Sequence, residues 1–305
     1  MDKGREAARF AAAALALGGI AVWGSENFFW SLPHADLTVV DFGLTWMAYA
    51  VAGACVLSLI GSAGMGGIGA AFLGGAVLGY LVEGAVAGTI YAAFPFQMVW
   101  TPLAWHGLVT GAAVFGLGRM AGVWGPWRMA VVWAGVGLFG GVWGLYWPLE
   151  GYAVPGVGAQ LVYLLGLGLL VPLGHGVLDR LGSVPRPWGP VQAVGPAVLG
   201  LIWAGQSVVG MNVLAVLLPL VLGLIYWVAR RLGGAGEVSF GVPARRIWHH
   251  GVFMVAPLVT VAVSQAGWAI LGGVEVNGVV AGVTCGTSLG WLGWLIWKAA
   301  RQRRV

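Results

Sequence analysis

The chain has 305 residues, of which 59% are apolar and only 8% charged, and its mean hydropathy is +0.89. An average soluble domain carries roughly 25% charged residues, so a water-soluble fold of this length is excluded. The formal net charge of +5 comes from 15 basic residues spread through short connections and the two ends, which argues against a nucleic-acid partner.

Apolar stretches of roughly 18 to 25 residues recur from end to end, each long enough to cross a hydrocarbon core of about 30 Å. The expected class is therefore an all-α, polytopic integral membrane protein forming one transmembrane domain, 1–305. The basic start, Met1–Arg9, leads into FAAAALALGGIAVWG, which mimics a signal peptide. No small-x-small cleavage site precedes a polar mature start, and Glu26–Trp30 reads as an interfacial helix end, so this stretch is expected to be the first span. Charge clusters and Pro/Gly breaks then punctuate ten spans, at about 10–30, 38–60, 68–93, 99–118, 129–147, 156–178, 190–210, 212–229, 249–271 and 278–298.

Lys and Arg collect on the cytoplasmic side of membrane proteins. With ten spans and the N-terminus inside, all 15 fall on that side: Lys3, Arg5 and Arg9, then Arg119 and Arg128, Arg180 and Arg186, Arg230 to Arg246, and Lys298 to Arg304. The outer connections hold His34, Asp36, Glu150 and Glu275 instead. A plasma-membrane protein with both termini in the cytoplasm is expected.

Glycine, at 54 residues, is more than double its usual share of about 7%. It recurs at four-residue spacing in Gly107/Gly111, Gly137/Gly141, Gly140/Gly144 and Gly282/Gly286/Gly290, the small-xxx-small rows that let helix backbones approach. A compact bundle follows, with homo- or hetero-oligomer contacts through glycine-rich faces. Of the 18 tryptophans, Trp30, Trp100, Trp147, Trp188, Trp248 and Trp297 fall at expected span ends and read as an interfacial belt. Cys55 and Cys285 lie inside apolar spans and read as free thiols.

Spans four and nine begin alike, TPLAWHGLVTGAAVFGLG from Thr101 and APLVTVAVSQAGWAILGG from Ala256. Because they run in opposite directions, an equivalence would make halves 1–150 and 151–305 a five-plus-five inverted repeat, a plan common in secondary transporters. The layout of ten spans in about 300 residues with both ends inside resembles that of the drug/metabolite transporter superfamily, without that superfamily's usual sequence features.

Polar residues inside the spans locate any chemistry. Glu83, in YLVEGAVAGTIY, is expected near the middle of span three, where an ionised side chain costs roughly 2.5 to 3.5 kcal/mol on insertion scales. His106 follows on the antiparallel span four. Glu83 is 12 residues before Pro95 and His106 is 11 after it, which places both about 17 Å below the surface at 1.5 Å per residue. Such a pair can share a proton, bind a cation or satisfy itself, and Pro102 frees a backbone carbonyl beside it. Glu26, Gln206, Gln265, Asp41, Asn212 and Glu150, with His34 and Asp36, widen the expectation to an outward-facing acidic vestibule. On the inner side His175 and Asp179 are spaced i,i+4 and could face a metal or each other, a helix-end ion pair being the simpler outcome. His249 and His250 read as headgroup contacts.

HExxH, Walker, CxxC and DxxD patterns are absent from the sequence, and no lysine lies within a span to hold retinal. The expected function is membrane transport of a small solute or ion, with Glu83 and His106 as the proton- or cation-responsive pair and no cofactor specified. A cofactor-handling membrane protein is the alternative. Val142–Glu150, VWGLYWPLE, is similar to the tryptophan-rich signature of cytochrome c maturation proteins that handle haem, but lacks its later tryptophan and has Glu in place of Asp. That resemblance implies axial histidines, for which His34 and His106 are the outer-side candidates. A structural subunit of a larger membrane complex is the third reading.

Overall fold

A computed structural model describes residues 3–33, 37–184, 189–234, 238–239, 241–244 and 246–302. Among the described residues the only regular structure besides helix is a two-residue antiparallel pairing of Ser183–Val184 with Val238–Ser239. Among the described residues, nine helical runs are long and apolar enough to cross a membrane: α1 (Lys3–Trp30), α2 (Val39–Ala63), α3 (Gly67–Val86), α4 (Pro126–Glu150), α5 (Val157–Leu181), α6 (Gly189–Gly210), α7 (Val213–Leu232), α8 (Trp248–Leu271) and α9 (Asn277–Arg301). The segment expected as span four is not one of these nine. It is an 18-residue π-helix, Trp100–Leu117, without a charged residue and packed closely against α3.

Contacts between connections sort the bundle into two ends. Arg9 donates to the carbonyls of Leu181 and Ser183, Arg230 to Ser62 and Arg231 to Gln302, so the described basic residues of these ends gather together. At the opposite end Val274 N–H donates to the Leu145 carbonyl and Gln206 to that of Val86. Arg186, Arg245, Arg303 and Arg304 lie outside the described residues.

Glycine sets the closest approach. Gly75 of α3 and Gly111 of the π-helix face each other directly, while Gly137 meets Ala256 and Val259 of α8. The expected Gly107/Gly111 and Gly137/Gly141 rows therefore mediate packing. The Gly282/Gly286/Gly290 row does not: nothing lies within 4 Å of a Cβ built on any of the three. That face of α9 has no helix against it.

The belt reading of tryptophan divides. Trp248 and Trp297 are half exposed, as a belt requires, and Trp188 lies outside the described residues. Trp100 and Trp147 are buried instead, and Trp30 stacks on Trp147 with ring centroids 4.8 Å apart. With Phe29, Trp105 and Trp143 they form one aromatic cluster in which edge-to-face contacts dominate. The indole N–H of Trp143 reaches the Phe29 carbonyl at 2.6 Å and that of Trp105 the Gly24 carbonyl at 3.0 Å. A carbonyl inside the protein replaces water for these two indoles, whereas the buried Nε1 of Trp147 has no hydrogen-bond partner among the described residues and that ring is held by aromatic packing.

Candidate functional site

Three of the four π-helical stretches converge on one cluster. Glu26 stands in the π-turn Trp23–Asn27 of α1, Glu83 in the π-turn Val82–Val86 of α3, and His106 in the Trp100–Leu117 π-helix. A π-turn inserts an extra residue and re-aims the side chains after it, and such turns recur at functional sites.

Glu83 and His106 are in contact. His106 Nε2 lies 3.1 Å from Glu83 Oε1, and the side chains are 3% and 15% exposed. The geometry differs from the equal-depth expectation. Gly88, in the left-handed region at φ +75°, ends α3 near Val86 rather than letting it run to about residue 93. Glu83 therefore sits within the last turn, while His106 packs its Cβ beside Gly79, four residues or about 6 Å deeper. The carboxylate bridges the difference because helical side chains lean toward their own N-terminus. Its second oxygen accepts a hydrogen bond from Thr89, which is exposed at that end of the bundle.

His106 is engaged on both nitrogens. Nδ1 is 2.8 Å from Ser25 Oγ, and Ser25 Oγ is 3.0 Å from Thr110 Oγ1, all three residues being buried. Gly24 admits this arrangement, since a Cβ there would stand 3.0 Å from the Thr110 methyl. Tyr49 stacks over the imidazole with centroids 6.1 Å apart and donates its hydroxyl to Glu26 Oε1 at 2.7 Å. Glu26 thus joins the cluster through Tyr49.

The other expected site residues do not line one vestibule with it. Gln206 donates to the Val86 carbonyl at 2.8 Å, closing the end of the Glu83 π-turn. Gln265 belongs to a separate buried set, donating to Gln160 Oε1 at 2.8 Å and to the Pro155 carbonyl at 2.9 Å, while Gln160 donates to Ser264 Oγ and the Ser31 carbonyl. Asp41 closes an exposed capping box with Thr38 at the start of α2. Asn212 caps a short 3₁₀ turn and Glu150 accepts from Tyr146. His34 and Asp36 lie outside the described residues.

At the basic end, His175 and Asp179 do not pair with each other. Asp179 accepts from Arg119 at 2.6 Å, His250 Nε2 at 2.7 Å and the Ala244 N–H at 2.9 Å. His175 lies flat against His250, centroids 5.2 Å apart. His250 is buried, so its headgroup role is replaced by the bond to Asp179; His249 is half-buried and edge-on to Trp248. Among the described residues no group of three or more His, Cys, Asp or Glu side chains is placed to hold a metal. Both cysteines are free thiols.

A cavity of about 430 Å³ opens at this basic end. The exposed Val123 and Val242 stand at its mouth, Ile60, Leu57 and Gly74 along its wall, and Thr110 at its depth. Its wall carries two polar side chains, Thr110 and Arg119, so it is an apolar chamber that reaches Thr110, the residue whose hydroxyl is bonded to Ser25. Opening at the basic end is the reverse of the vestibule expected at the acidic one.

Ser25, Tyr49, Thr110 and Gln160 escaped sequence reasoning. Hydroxyls are routine in apolar helices, and only the convergence of α1, α2 and the π-helix gives the first three a partner, while the approach of α5 to α8 gives Gln160 its own. The comparisons add nothing to this geometry: no known protein family, no curated protein and no solved structure matches the chain.

Proposed function

We propose that the chain is a proton- or cation-responsive transporter for a small solute or ion, with Glu83 and His106 as the responsive pair. The observation that carries this reading is the 3.1 Å contact between Glu83 Oε1 and His106 Nε2 within an apolar bundle. Intramembrane ionisable groups are costly, and such a pair persists where its charge state is used. Glu26 and Tyr49 tune the imidazole from its other face, and the cavity of about 430 Å³ supplies room for a solute.

The same reading makes Trp100–Leu117 a tenth span, giving a compact glycine-rich bundle in a plasma membrane with both termini cytoplasmic. Five-plus-five inverted halves, 1–150 and 151–305, have partial support: α4 packs on α8 while the π-helix packs on α9, and α1 packs on α5 as α2 does on α6. The tight pairing of α3 with the π-helix has no equally close counterpart between α7 and α8. Self-association through glycine would use the open Gly282/Gly286/Gly290 face.

The cofactor-handling reading has less support, because both ring nitrogens of His106 are engaged by protein and Trp143 and Trp147 pack on other aromatic rings. The test is charge displacement on a solid-supported membrane carrying purified protein, after jumps in pH, Na⁺ and K⁺ and then across a panel of amino acids, sugars and amines. Wild-type protein gives a pH-sensitive signal that Glu83→Gln loses. A folded Glu83→Gln protein with wild-type pH dependence removes the pair from the mechanism.

A further inference from the structure

The Glu83–His106 pair is the start of a longer hydrogen-bonded series. Glu83 Oε1 contacts His106 Nε2 at 3.1 Å, His106 Nδ1 contacts Ser25 Oγ at 2.8 Å, and Ser25 Oγ contacts Thr110 Oγ1 at 3.0 Å. Each separation lies within ordinary hydrogen-bond range. The first member reaches one end of the bundle through the exposed Thr89, and the last lies on the wall of a cavity that opens at the other.

Imidazole is suited to the centre of such a series, since its two nitrogens exchange donor and acceptor roles. A hydroxyl both accepts and donates, so Ser25 and Thr110 continue the series. None of the four is a bystander: His106, Ser25 and Thr110 are buried without access to water except where Thr110 meets the cavity.

Building on the reading of Glu83 and His106 above, we propose that Glu83, His106, Ser25 and Thr110 form a proton path connecting the end of the bundle at Thr89 with the cavity at the basic end. The proton balance closes at every step. Glu83 enters protonated, with His106 carrying hydrogen on Nδ1 and donating to Ser25, Ser25 donating to Thr110, and Thr110 donating into the cavity. The Glu83 proton moves to Nε2 and the Nδ1 proton to Ser25 Oγ; the Ser25 proton moves to Thr110 Oγ1, and the Thr110 proton leaves to water in the cavity. His106 is left as the Nε2–H tautomer beside an ionised Glu83. To reset, the two hydroxyls reorient, the imidazole rotates so that the N–H it holds faces Ser25 and its bare nitrogen faces Glu83, and Glu83 takes a new proton from the Thr89 side; no proton is gained or lost in the rotation. Because the cavity opens at the basic end, conduction requires no other solute.

The experiment uses full-length protein in liposomes containing a pH-sensitive dye, with a K⁺ diffusion potential set by valinomycin as the driving force. Wild-type protein is expected to acidify or alkalinise the lumen, by the sign of the potential, at least tenfold faster than protein-free liposomes. Ser25→Ala and Thr110→Val each reduce the rate at least tenfold, and Thr110→Ser, which keeps the hydroxyl, restores it to within threefold of wild type. The Thr110→Val and Thr110→Ser pair remains decisive if Ser25→Ala misfolds. Wild-type flux at the protein-free level overturns the path, as does wild-type flux in folded Thr110→Val. If Thr110→Val conducts normally while Glu83→Gln loses the pH-sensitive charge displacement, the path fails and the responsive pair stands; if Glu83→Gln retains that signal, the pair itself fails.

Discussion

Gly75 and Gly111 meet backbone to backbone: a Cβ on Gly75 would stand 2.7 Å from the Cα of Gly111, and one on Gly111 would stand 2.9 Å from the Cα of Gly75. The contact holds α3 against the π-helix one turn below His106, so the spacing of two glycines sets the spacing of the Glu83 carboxylate and the His106 imidazole.

Gly111→Val is therefore expected to lower stability by about 1 to 3 kcal/mol through overpacking and to abolish the pH-sensitive charge displacement. Gly286→Val, on the open face of α9, is expected to change stability by no more than about 0.5 kcal/mol. Thermal unfolding in detergent and the charge-displacement assay check both. Equal sensitivity at the two positions would contradict the packing described.

At the basic end, Asp179 is the common acceptor for Arg119, His250 and the Ala244 N–H. Removing its charge takes the carboxylate partner from a buried guanidinium, and breaking a buried ion pair costs on the order of 3 to 5 kcal/mol. Asp179→Asn should also loosen the segment at 241–244 that borders the cavity. Limited proteolysis should cut near Val242 in the variant well before it cuts the wild-type chain, and equal cutting rates would refute the tether.

Tyr49 contributes an aromatic face to His106 and a hydroxyl to Glu26, and two substitutions separate these roles. Tyr49→Phe removes one hydrogen bond, worth about 1 kcal/mol, and is expected to shift the pH at which charge displacement is half-maximal without loss of fold. Tyr49→Ala also removes the buried ring and should cost about 3 to 5 kcal/mol. An unchanged pH midpoint in Tyr49→Phe would take Glu26 out of the cluster.

Gln160 is fully buried and bridges the Ser31 carbonyl, Ser264 and Gln265. Gln160→Leu leaves those groups without their partner and is expected to destabilise by about 1 to 3 kcal/mol with little effect on the response of the Glu83–His106 pair. Loss of that response with stability intact would join the two polar sets functionally.

Much of the fold was legible in the chain because the bilayer constraint is simple. A helix must be about 20 apolar residues long to cross, and the runs in this sequence match that length closely enough to place seven of the nine helices to within three residues at both ends, while α1 begins and α3 ends seven residues earlier than expected. The pairing of Glu83 with His106 was legible in part: two consecutive antiparallel helices joined by a short turn bring residues equidistant from it near one another, and the Glu83 side chain spans the difference in depth of about 6 Å that the sequence did not show. The details escaped where backbone geometry departs from the α-helix. Neither the π-helix of Trp100–Leu117 nor the early end of α3 at Gly88 follows from hydropathy, and both move residues by about a turn. The belt reading failed at Trp30, Trp100 and Trp147 because the sequence shows that an indole lies near a span end but not whether another ring awaits it.

Apolarity, span length and the position of each charge are local properties, and from them the sequence by itself determined that this is a helical membrane protein and which few side chains carry charge within it. Only the tertiary structure decided that Ser25 and Thr110 continue from His106, that Asp179 binds Arg119 and His250 rather than His175, and that the cavity opens at the basic end. These are contacts between residues 60 to 85 positions apart, created when glycine lets particular helix faces touch, and no periodicity along one helix encodes which face another helix will meet.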